Sequence, residues 1–566
     1  MRPMSLLLLA GCSAIVTTAA APAQETSGNP MALLIERYET DRDALRRVHG
    51  VPMSPRRGER MNRFNEDSLK ELGRVDFEAL GVEGRIDHVL LRTHLARERR
   101  HLALEAKKDG EIAALVPFRE TIAGLEESRR RMETVDPAKA ADRLTALAKE
   151  VAEARKGAEK ADRVAARRAA QRVFALRETL RGWYRFYAGY HPEFTWWAQK
   201  PYEKAEKELE GYGAHLRDKV AKENEPGAAG LVGDPIGRDA LLGELADEMI
   251  AYTPEELIAR AEKEFAWCEE RLREASRELG CGDDVKKALE KVKGEHVPPG
   301  KQPDLVRDYA QAAVKFLEER DLVTIPDLAK EVWRMEMMPP ERQKVTPYFT
   351  GGEVVSVSFP THDMDHEQKL MSLRGNNVHF CWATVHHELI PGHHLQGFMA
   401  ARHRTHRRLF RTPFLVEGWA LYWELLLWDL GFARSPGDKV GMLFWRMHRA
   451  ARIIVSLKFH LGKMAPVEMT DFLVDRVGHE RDGATAEVRR YIGGDYPPLY
   501  QAAYLLGGFQ IRALYQELVP SGKMTARAFH DAVLRENMIP IEMMRASLTG
   551  EKLPRDYSTR WRFLGE

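Results

Sequence analysis

The sequence HHELIPGHHLQ, residues 386–396, places four histidines and one glutamate around a central Pro-Gly pair. On a regular α-helix, residues four apart share a face because about 400° of rotation separates them. Counted from His387, that position is occupied by Pro391. His393 lies about 600° away, on a different face, whereas His394 lies about 700° away, on the same face but two turns along. The stretch therefore requires an irregular helix if two of its histidines are to act together.

Pro391 and Gly392 supply that irregularity. A proline inside a helix loses one backbone hydrogen bond and clashes with the carbonyl four residues earlier, here that of His387. The sequence therefore predicts a bulge or kink at this point, and two extruded residues would bring His393 to the position of a second ligand. We predict His387 and His393 as metal ligands, with His394 as the alternative to His393.

This residue combination is typical of zinc hydrolases. Such a site needs about three protein ligands, an open position for water and a base beside that water. In the signature His-Glu-x-x-His the histidines bind zinc and the glutamate is the base. Glu388 is therefore the predicted general base, and Zn²⁺ is the predicted cofactor.

The third ligand is expected on a following helix, in VEGWALYWE, residues 416–424. This segment is similar to the NEGFA segment of aminopeptidase-N-like gluzincins, whose glutamate is the third zinc ligand, and the resemblance assigns that role to Glu417. Val416 stands where that family has asparagine. Glu424, seven residues after Glu417 and on the same face, would either orient a ligand or lie in solvent.

A wider resemblance covers nearly the whole mature chain. The segments that carry it are RIDHVLLRTHL (85–95), TPEEL (253–257), HELIPGHHLQ (387–396), EGWALYWE (417–424) and RRYIGGDYPPLYQAAY (489–504). Together they resemble the bacterial family called domain of unknown function 885, whose members are often exported and are placed among the zincin-like peptidases. The Pro-Gly-His-His spacing is a hallmark of that family. The resemblance implies a zincin-like fold and zinc-dependent peptide hydrolysis.

The last of these segments contains two further candidates. Hydrolysis of an amide by zinc needs a donor for the developing oxyanion, and gluzincins often supply it as a tyrosine or histidine distant from the zinc motif. Tyr504 is the predicted donor, the alternative being a core tyrosine with a structural partner. Arg490 is predicted to bind a substrate carboxylate, or else to form a structural ion pair.

Apolar residues recur at helical spacing through most of the chain, which predicts a mainly α protein. Thr253, Pro254 and Glu256 form a helix start, with a capping threonine and a glutamate three residues later. The clearest strand is GGEVVSVSF, residues 351–359, so the β-sheet is expected to be minor. The basic stretch ARHRTHRRLFR, residues 401–411, is typical of a solvated helix.

The chain of 566 residues is 44% hydrophobic and can bury a large core. We predict a single zincin-like domain over residues 24–566 with a deep central cleft, divided into a helical lobe at about 24–300 and a metal-site lobe at 301–566. With 86 basic and 85 acidic residues, the chain has no charge excess for binding nucleic acid. The sequence leaves the oligomeric state open.

The N-terminus is typical of a secretory signal, with one basic residue, a short apolar run and then small residues. We predict a signal peptide over residues 1–23. The sequence LAGC, Leu9–Cys12, resembles a lipoprotein box that would anchor a lipidated Cys12 in the membrane, whereas APAQ suits cleavage after Ala23. Export to the cell envelope, as a lipoprotein or a periplasmic protein, follows from either interpretation.

These predictions combine into a zinc metallopeptidase that cleaves short peptides, as an exopeptidase or an oligopeptidase. Two alternatives remain at this stage: an envelope protein that binds metal or peptide without catalysis, and a zinc hydrolase of a non-peptide amide or ester. Glu388 argues against the first alternative, since a structural metal site has no use for a free carboxylate beside the ion.

Overall fold

Helices dominate the computed structural model, which describes residues 29–343, 350–494 and 496–565. The chain is 71% helix and 2% strand, which confirms the prediction of a mainly α protein with a small sheet. The predicted signal peptide, residues 1–23, and its Leu9–Cys12 box lie outside the described residues. Within the described part, no helix is long and apolar enough to span a membrane.

The helices in the first part of the chain are α1 (Pro30–Val48), α2 (Pro55–Gly73), α3 (Val82–Glu111), α4 (Arg119–Arg130), α5 (Pro137–Gly157), α6 (Arg163–Ala188), α7 (Phe194–His215), α8 (Arg238–Asp247), α9 (Pro254–Glu278), α10 (Val285–Gly294) and α11 (Gln302–Glu319). Helix α9 begins as predicted, with Thr253 as its cap and a reciprocal hydrogen bond between Thr253 and Glu256.

The later helices are α12 (Asp327–Val332), α13 (Pro340–Gln343), α14 (His366–Gly375), α15 (Val378–Glu388), α16 (His393–Ala400), α17 (Pro413–Asp429), α18 (Pro436–His460), α19 (Pro466–Phe472), α20 (Arg481–Ile492), α21 (Tyr500–Leu518), α22 (Ala526–Arg535) and α23 (Ile541–Thr549). Short 3₁₀ or π segments occur at Ala113–Leu115, Ala158–Lys160, Leu216–Val220, Gly227–Gly230, Thr405–Phe410 and Leu473–Val477.

The sheet has two parallel strands, β1 (Arg334–Met337) and β2 (Val354–Val357). The strand predicted at residues 351–359 is therefore present but shorter. Thr350 forms an antiparallel bridge with Ser356, so the chain folds back on β2 through the turn at Gly351 and Gly352. Part of the outer edge of β2 is occupied by this bridge.

Helix α18 lies inside the largest apolar core, with α9, α15 and α21 against it. It is buried along nearly its whole length, including Arg446, Arg449 and Arg452. A second apolar core is formed by α4, α5, α6 and α7. The division into lobes near residue 300 stays a prediction.

Helices α17 and α21 cross with their backbones in contact. A Cβ atom on Gly418 would lie 2.5 Å from the Cα of Gly507, and one on Gly507 would lie 1.9 Å from the carbonyl oxygen of Phe414. Real side chains cannot occupy those positions, so glycine at both allows the two helices to approach this closely. The crossing brings the residues beside Gly418 next to those one turn before Gly507.

The basic stretch 401–411 is not the solvated helix that its composition predicts. Residues Thr405–Phe410 form a short 3₁₀ helix in which His406 and Arg407 are buried. Nε of Arg407 lies 2.8 Å and Nε2 of His406 3.0 Å from the carboxylate of Asp87 on α3. Burial alone would raise the pKa of Asp87, but these two partners lower it. His406 and Arg407 therefore attach this stretch to α3 instead of facing water.

We predict that Gly507→Ala lowers the free energy of unfolding by about 1–3 kcal/mol, the usual cost of overpacking a core. The measurement is urea unfolding. Gly182→Ala on α6 is the control, because its Cβ would meet no atom within 4 Å. Equal unfolding midpoints for the two variants would contradict the close crossing of α17 and α21.

Candidate metal centre

Two separate helices carry the histidines of the sequence HHELIPGHHLQ. Helix α15 ends at Glu388 and α16 begins at His393. The predicted irregularity is therefore present, but the bulge inside one continuous helix is wrong, because one helix stops and a new one starts after four intervening residues. Pro391 provides the reason, because it has no N–H with which to continue the ladder of α15.

Gly392 fits the junction because it has no side chain. A Cβ atom there would lie 1.7 Å from the carbonyl oxygen of His387. Its own N–H donates to the carbonyl of His386 at 3.0 Å, and the N–H of His394 donates to Leu389 at 3.1 Å. These bonds close the end of α15 and hold the first residue of α16 beside the last turn of α15.

The junction brings the predicted ligands together. Ligand atoms of His387, His393 and Glu417 all lie within 4.8 Å of one another. Oε2 of Glu417 is 3.2 Å from Nε2 of His393 and 3.8 Å from Nε2 of His387. Tetrahedral zinc with bonds of about 2.0–2.1 Å separates its ligand atoms by about 3.3 Å, so these spacings suit a bound ion.

Glu417 has one carboxylate oxygen that the described chain leaves without a hydrogen bond. Its side chain is buried, and within the described chain its Oε2 accepts no hydrogen bond of acceptable geometry. Leaving a buried acceptor unsatisfied costs free energy. Its other oxygen, Oε1, accepts a hydrogen bond from the hydroxyl of Tyr500. The free oxygen is the one that faces the two imidazoles, so a cation between them would satisfy it.

His387, His393 and Glu417 are called the triad below, and within it Glu417 and His393 shift each other's pKa. Burial raises the pKa of Glu417, but the positive charges of His393 and His387 outweigh it and hold that pKa below its usual value. Burial lowers the pKa of His393, yet Glu417 raises it above the ordinary value. The triad therefore stabilises positive charge near the Glu417 carboxylate, as a metal site must.

Glu424 orients one of the predicted ligands, His387. It is buried, and its Oε1 lies 2.7 Å from Nδ1 of His387. Burial raises the pKa of Glu424, but Arg449 and then His387 bring it below the ordinary value. A carboxylate on Nδ1 leaves Nε2 as the ligand atom and fixes the ring. Of the two interpretations of Glu424, the structure excludes the solvated one, because Glu424 is buried against His387.

His394, the alternative second ligand, faces elsewhere. Its Nε2 lies 2.7 Å from the carbonyl oxygen of Ala329 in α12. The same helix start therefore directs His393 to Glu417 and His394 to a structural partner. This geometry favours His393 as the ligand.

The triad lines a cavity of about 430 Å³. Glu388, the predicted base, lines it too and is half-buried. Its backbone oxygen accepts from the N–H of Gly352 at 3.1 Å, and a Cβ on Gly351 would lie 2.4 Å from its Cβ. The turn before β2 therefore packs directly on Glu388 and forms one wall of the cavity.

Tyr504 and Arg490 lie in the same cavity and contact each other. Nη2 of Arg490 donates to the hydroxyl of Tyr504 at 3.3 Å, which leaves the tyrosine proton free to be donated elsewhere. Burial and the charge of Glu417 raise the pKa of Tyr504, so its hydroxyl keeps that proton. The ring stacks at 6.4 Å from the ring of His387.

The sequence predictions missed Tyr500, which contacts the predicted ligand Glu417 directly. It lies four residues before Tyr504, one helical turn away on α21, and that spacing was the available signal. They also missed Arg449 and Arg452, whose guanidinium carbons lie 4.9 and 4.6 Å from the ring centre of Tyr504. Nothing in the local sequence of α18 distinguishes these arginines from solvated ones.

Comparison with known proteins matches the chain to one family model and to solved structures of similar fold. Residues 48–548 match the family model described as bacterial protein of unknown function, DUF885. A candidate lipoprotein of unknown function from Shewanella oneidensis has a TM-score of 0.67 at 15% identity, covering 92% of this chain and 99% of its own. A candidate lipoprotein from Colwellia psychrerythraea has a TM-score of 0.59 at 14% identity, covering 92% and 98%. No curated protein sequence matches the chain.

We predict that Gly392→Ala disrupts the junction of α15 and α16 and lowers the free energy of unfolding by about 1–3 kcal/mol, because a backbone carbonyl must move to admit the methyl group. The matched control is Gly397→Ala in the same helix, where the new methyl would meet no atom within 4 Å. Thermal unfolding of both variants is the measurement. If Gly392→Ala unfolds at the same temperature as Gly397→Ala, the tight junction described here is incorrect.

Proposed function

The chain belongs to the bacterial family DUF885, and on that premise we propose that it is a zinc-dependent hydrolase that cleaves short peptides. One observation carries the proposal: His387, His393 and Glu417 converge in the cavity that also contains Glu388. Three protein ligands with a free carboxylate beside them are the composition of a catalytic zinc site, whereas a structural site is closed by four ligands.

The three ligands would hold the ion through Nε2 of each histidine and Oε2 of Glu417. When bound, zinc supplies Lewis acidity, which lowers the pKa of water and polarises a carbonyl group. Glu424 keeps the His387 ring in the orientation that this binding needs, and Tyr500 holds the second oxygen of Glu417. Both contacts reduce the reorganisation that metal binding would require.

Glu388 is the proposed general base and acid. It takes a proton from the water whose oxygen attacks the carbonyl carbon of the substrate. As the C–N bond breaks, it transfers that proton to the nitrogen of the leaving amine, so the carboxylate is regenerated. The turn at Gly351 and Gly352 restricts the carboxylate from one side, which limits the positions it can adopt.

Tyr504 is the proposed donor to the carbonyl oxygen that becomes negative during attack. Its hydroxyl accepts from Arg490 and can therefore donate its own proton into the cavity. The guanidinium groups of Arg449 and Arg452 over its ring favour negative charge near the hydroxyl. Arg490, with 27% of its side chain exposed, is the proposed partner of a substrate's terminal carboxylate.

The size of the cavity supports short substrates. A volume of about 430 Å³ is within the range of small-ligand sites and does not admit a folded chain. A peptide could align on the backbone of Gly351 and Gly352, because the edge of β2 at Ser356 is already paired with Thr350. We propose a zincin-like arrangement of two lobes around this cavity.

Export to the cell envelope is part of the proposal. Two proteins of similar fold are described as candidate lipoproteins, which agrees with the lipoprotein box that ends at Cys12. Lipidation at Cys12 would anchor the hydrolase to a membrane surface, whereas cleavage after Ala23 would release it to the periplasm.

The metal assignment predicts a difference between two adjacent histidines. His393→Ala should lose most of the bound zinc, because it removes one of three ligands, whereas His394→Ala should keep about one zinc per chain. Metal content after dialysis, measured by mass spectrometry, gives the comparison. Retention of zinc by His393→Ala together with its loss from His394→Ala would exchange the two roles and contradict the ligand set.

The base assignment predicts that Glu388→Gln keeps its zinc and loses turnover by about 10²- to 10⁴-fold, the usual contribution of a general base. The assay is release of amine from a library of short peptides, with zinc content measured on the same sample. The control is Glu353→Gln, which makes the same change on the turn that precedes β2, outside the cavity lining. Wild-type turnover by Glu388→Gln would show that the hydrolase mechanism is wrong.

A further inference from the structure

Arg411 is a cationic residue in the cavity that the proposed mechanism does not use. It is the last residue of the basic stretch 401–411 and immediately precedes Thr412, the cap of α17. The hydroxyl of Thr412 accepts from the N–H of Phe414 and donates to the buried carboxylate of Glu248. The backbone that carries Arg411 is thus fixed by the same helix start that positions Glu417.

Among the residues that the structure describes, the guanidinium of Arg411 has no carboxylate partner. Within the described part of the chain, no carboxylate lies within 4.0 Å of it, and it lines the cavity. Two other arginines of the stretch differ: Arg404 and Arg407 form ion pairs with Glu83 and Glu536. An unpaired guanidinium at the wall of a cavity is available to a ligand.

Arg411 and Arg490 have different neighbours in the cavity. The positive charge of Arg411 lowers the pKa of His393, as burial does, whereas Glu417 raises it. Arg490 instead contacts Tyr504 and lies over the ring of Tyr496. If Arg490 binds the terminal carboxylate on the leaving side of the scissile bond, Arg411 remains available to the substrate residue on the opposite side.

The described residues that line the cavity also carry more positive than negative charge. Among the described residues that line it, the charged side chains are those of Arg411, Arg449, Arg452, Arg490, Glu388, Glu417 and Glu487. Four guanidinium groups thus face three carboxylates, and a divalent ion on Glu417 would add two further positive charges. A cavity lined by excess positive charge concentrates anionic substrates.

We propose that Arg411 is a specificity residue that binds a carboxylate side chain on the amino side of the scissile bond, so that the preferred substrates are short acidic peptides with a free C-terminus. The inference rests on the proposed hydrolase function and adds a substrate class to it. Arginine suits this task because its planar guanidinium can bind a carboxylate with two parallel hydrogen bonds.

The test uses tetrapeptides that differ at one position, with glutamate, glutamine or lysine placed in turn at each of the first three residues. The wild-type protein should cleave the best glutamate peptide about 10-fold or more faster, in kcat/KM, than its glutamine analogue, as expected from one hydrogen bond between charged groups. Arg411→Ala should remove this preference mainly through KM. Arg411→Glu should reverse it in favour of lysine.

Arg408→Ala is the matched control, because Arg408 belongs to the same basic stretch, is exposed and does not line the cavity. It should keep the wild-type preference. Calorimetry of the same peptides with Glu388→Gln gives a second readout that does not need turnover. The glutamate peptide should bind more tightly than its glutamine analogue. This difference should be lost in the double variant Glu388→Gln/Arg411→Ala.

The outcomes separate the two proposals. Cleavage of peptides with no preference between glutamate and glutamine would overturn the role of Arg411 and leave the hydrolase intact. Failure to cleave any peptide would overturn the proposed function, and calorimetry would then decide on Arg411 alone. Equal binding of the glutamate and glutamine peptides would reject it, whereas tighter binding of the glutamate peptide would support it.

Discussion

The contact between the backbones of α17 and α21 is the constraint on which the site depends. At the crossing point, Gly418 and Gly507 place no side chain between the two helices, so the residues next to the crossing lie close together. Glu417 comes from one helix, and Tyr500 and Tyr504 come from the other. A wider crossing would separate the proposed third ligand from the hydroxyl that holds it and from the proposed oxyanion donor.

A second constraint acts at the junction of α15 and α16. A continuous helix cannot present His387 and His393 to the same point, because their spacing places them on different faces. The break at Pro391 and Gly392 permits both imidazoles to reach Glu417, while Glu424 holds the far nitrogen of His387. In the proposed site, α15, α16 and the buried Glu424 carboxylate together position two imidazoles. In the ordinary His-Glu-x-x-His arrangement, one regular helix positions both.

Much of this arrangement could be predicted from local sequence. The features that could not be predicted are those that depend on contacts between distant parts of the chain. Apolar periodicity predicted the helices, and the Thr253 cap predicted the start of α9. The resemblance of the EGWA segment to the gluzincins assigned Glu417 as the third zinc ligand. The predicted bulge was wrong because a proline interrupts a helix without determining where the next one points. The partners of Arg407 and Arg452 could not be predicted, since Asp87 is 320 residues and Glu487 is 35 residues away along the chain. Their burial depends on tertiary contacts that composition does not record.

The central claim is that one metal ion sits between His387, His393 and Glu417. It can be tested most directly by a crystal structure of the protein loaded with zinc, using anomalous scattering at the zinc edge. We expect one strong peak within about 2.0–2.2 Å of Nε2 of each histidine and of a carboxylate oxygen of Glu417. Zinc bound only elsewhere, or none at the triad in the presence of excess metal, would contradict it.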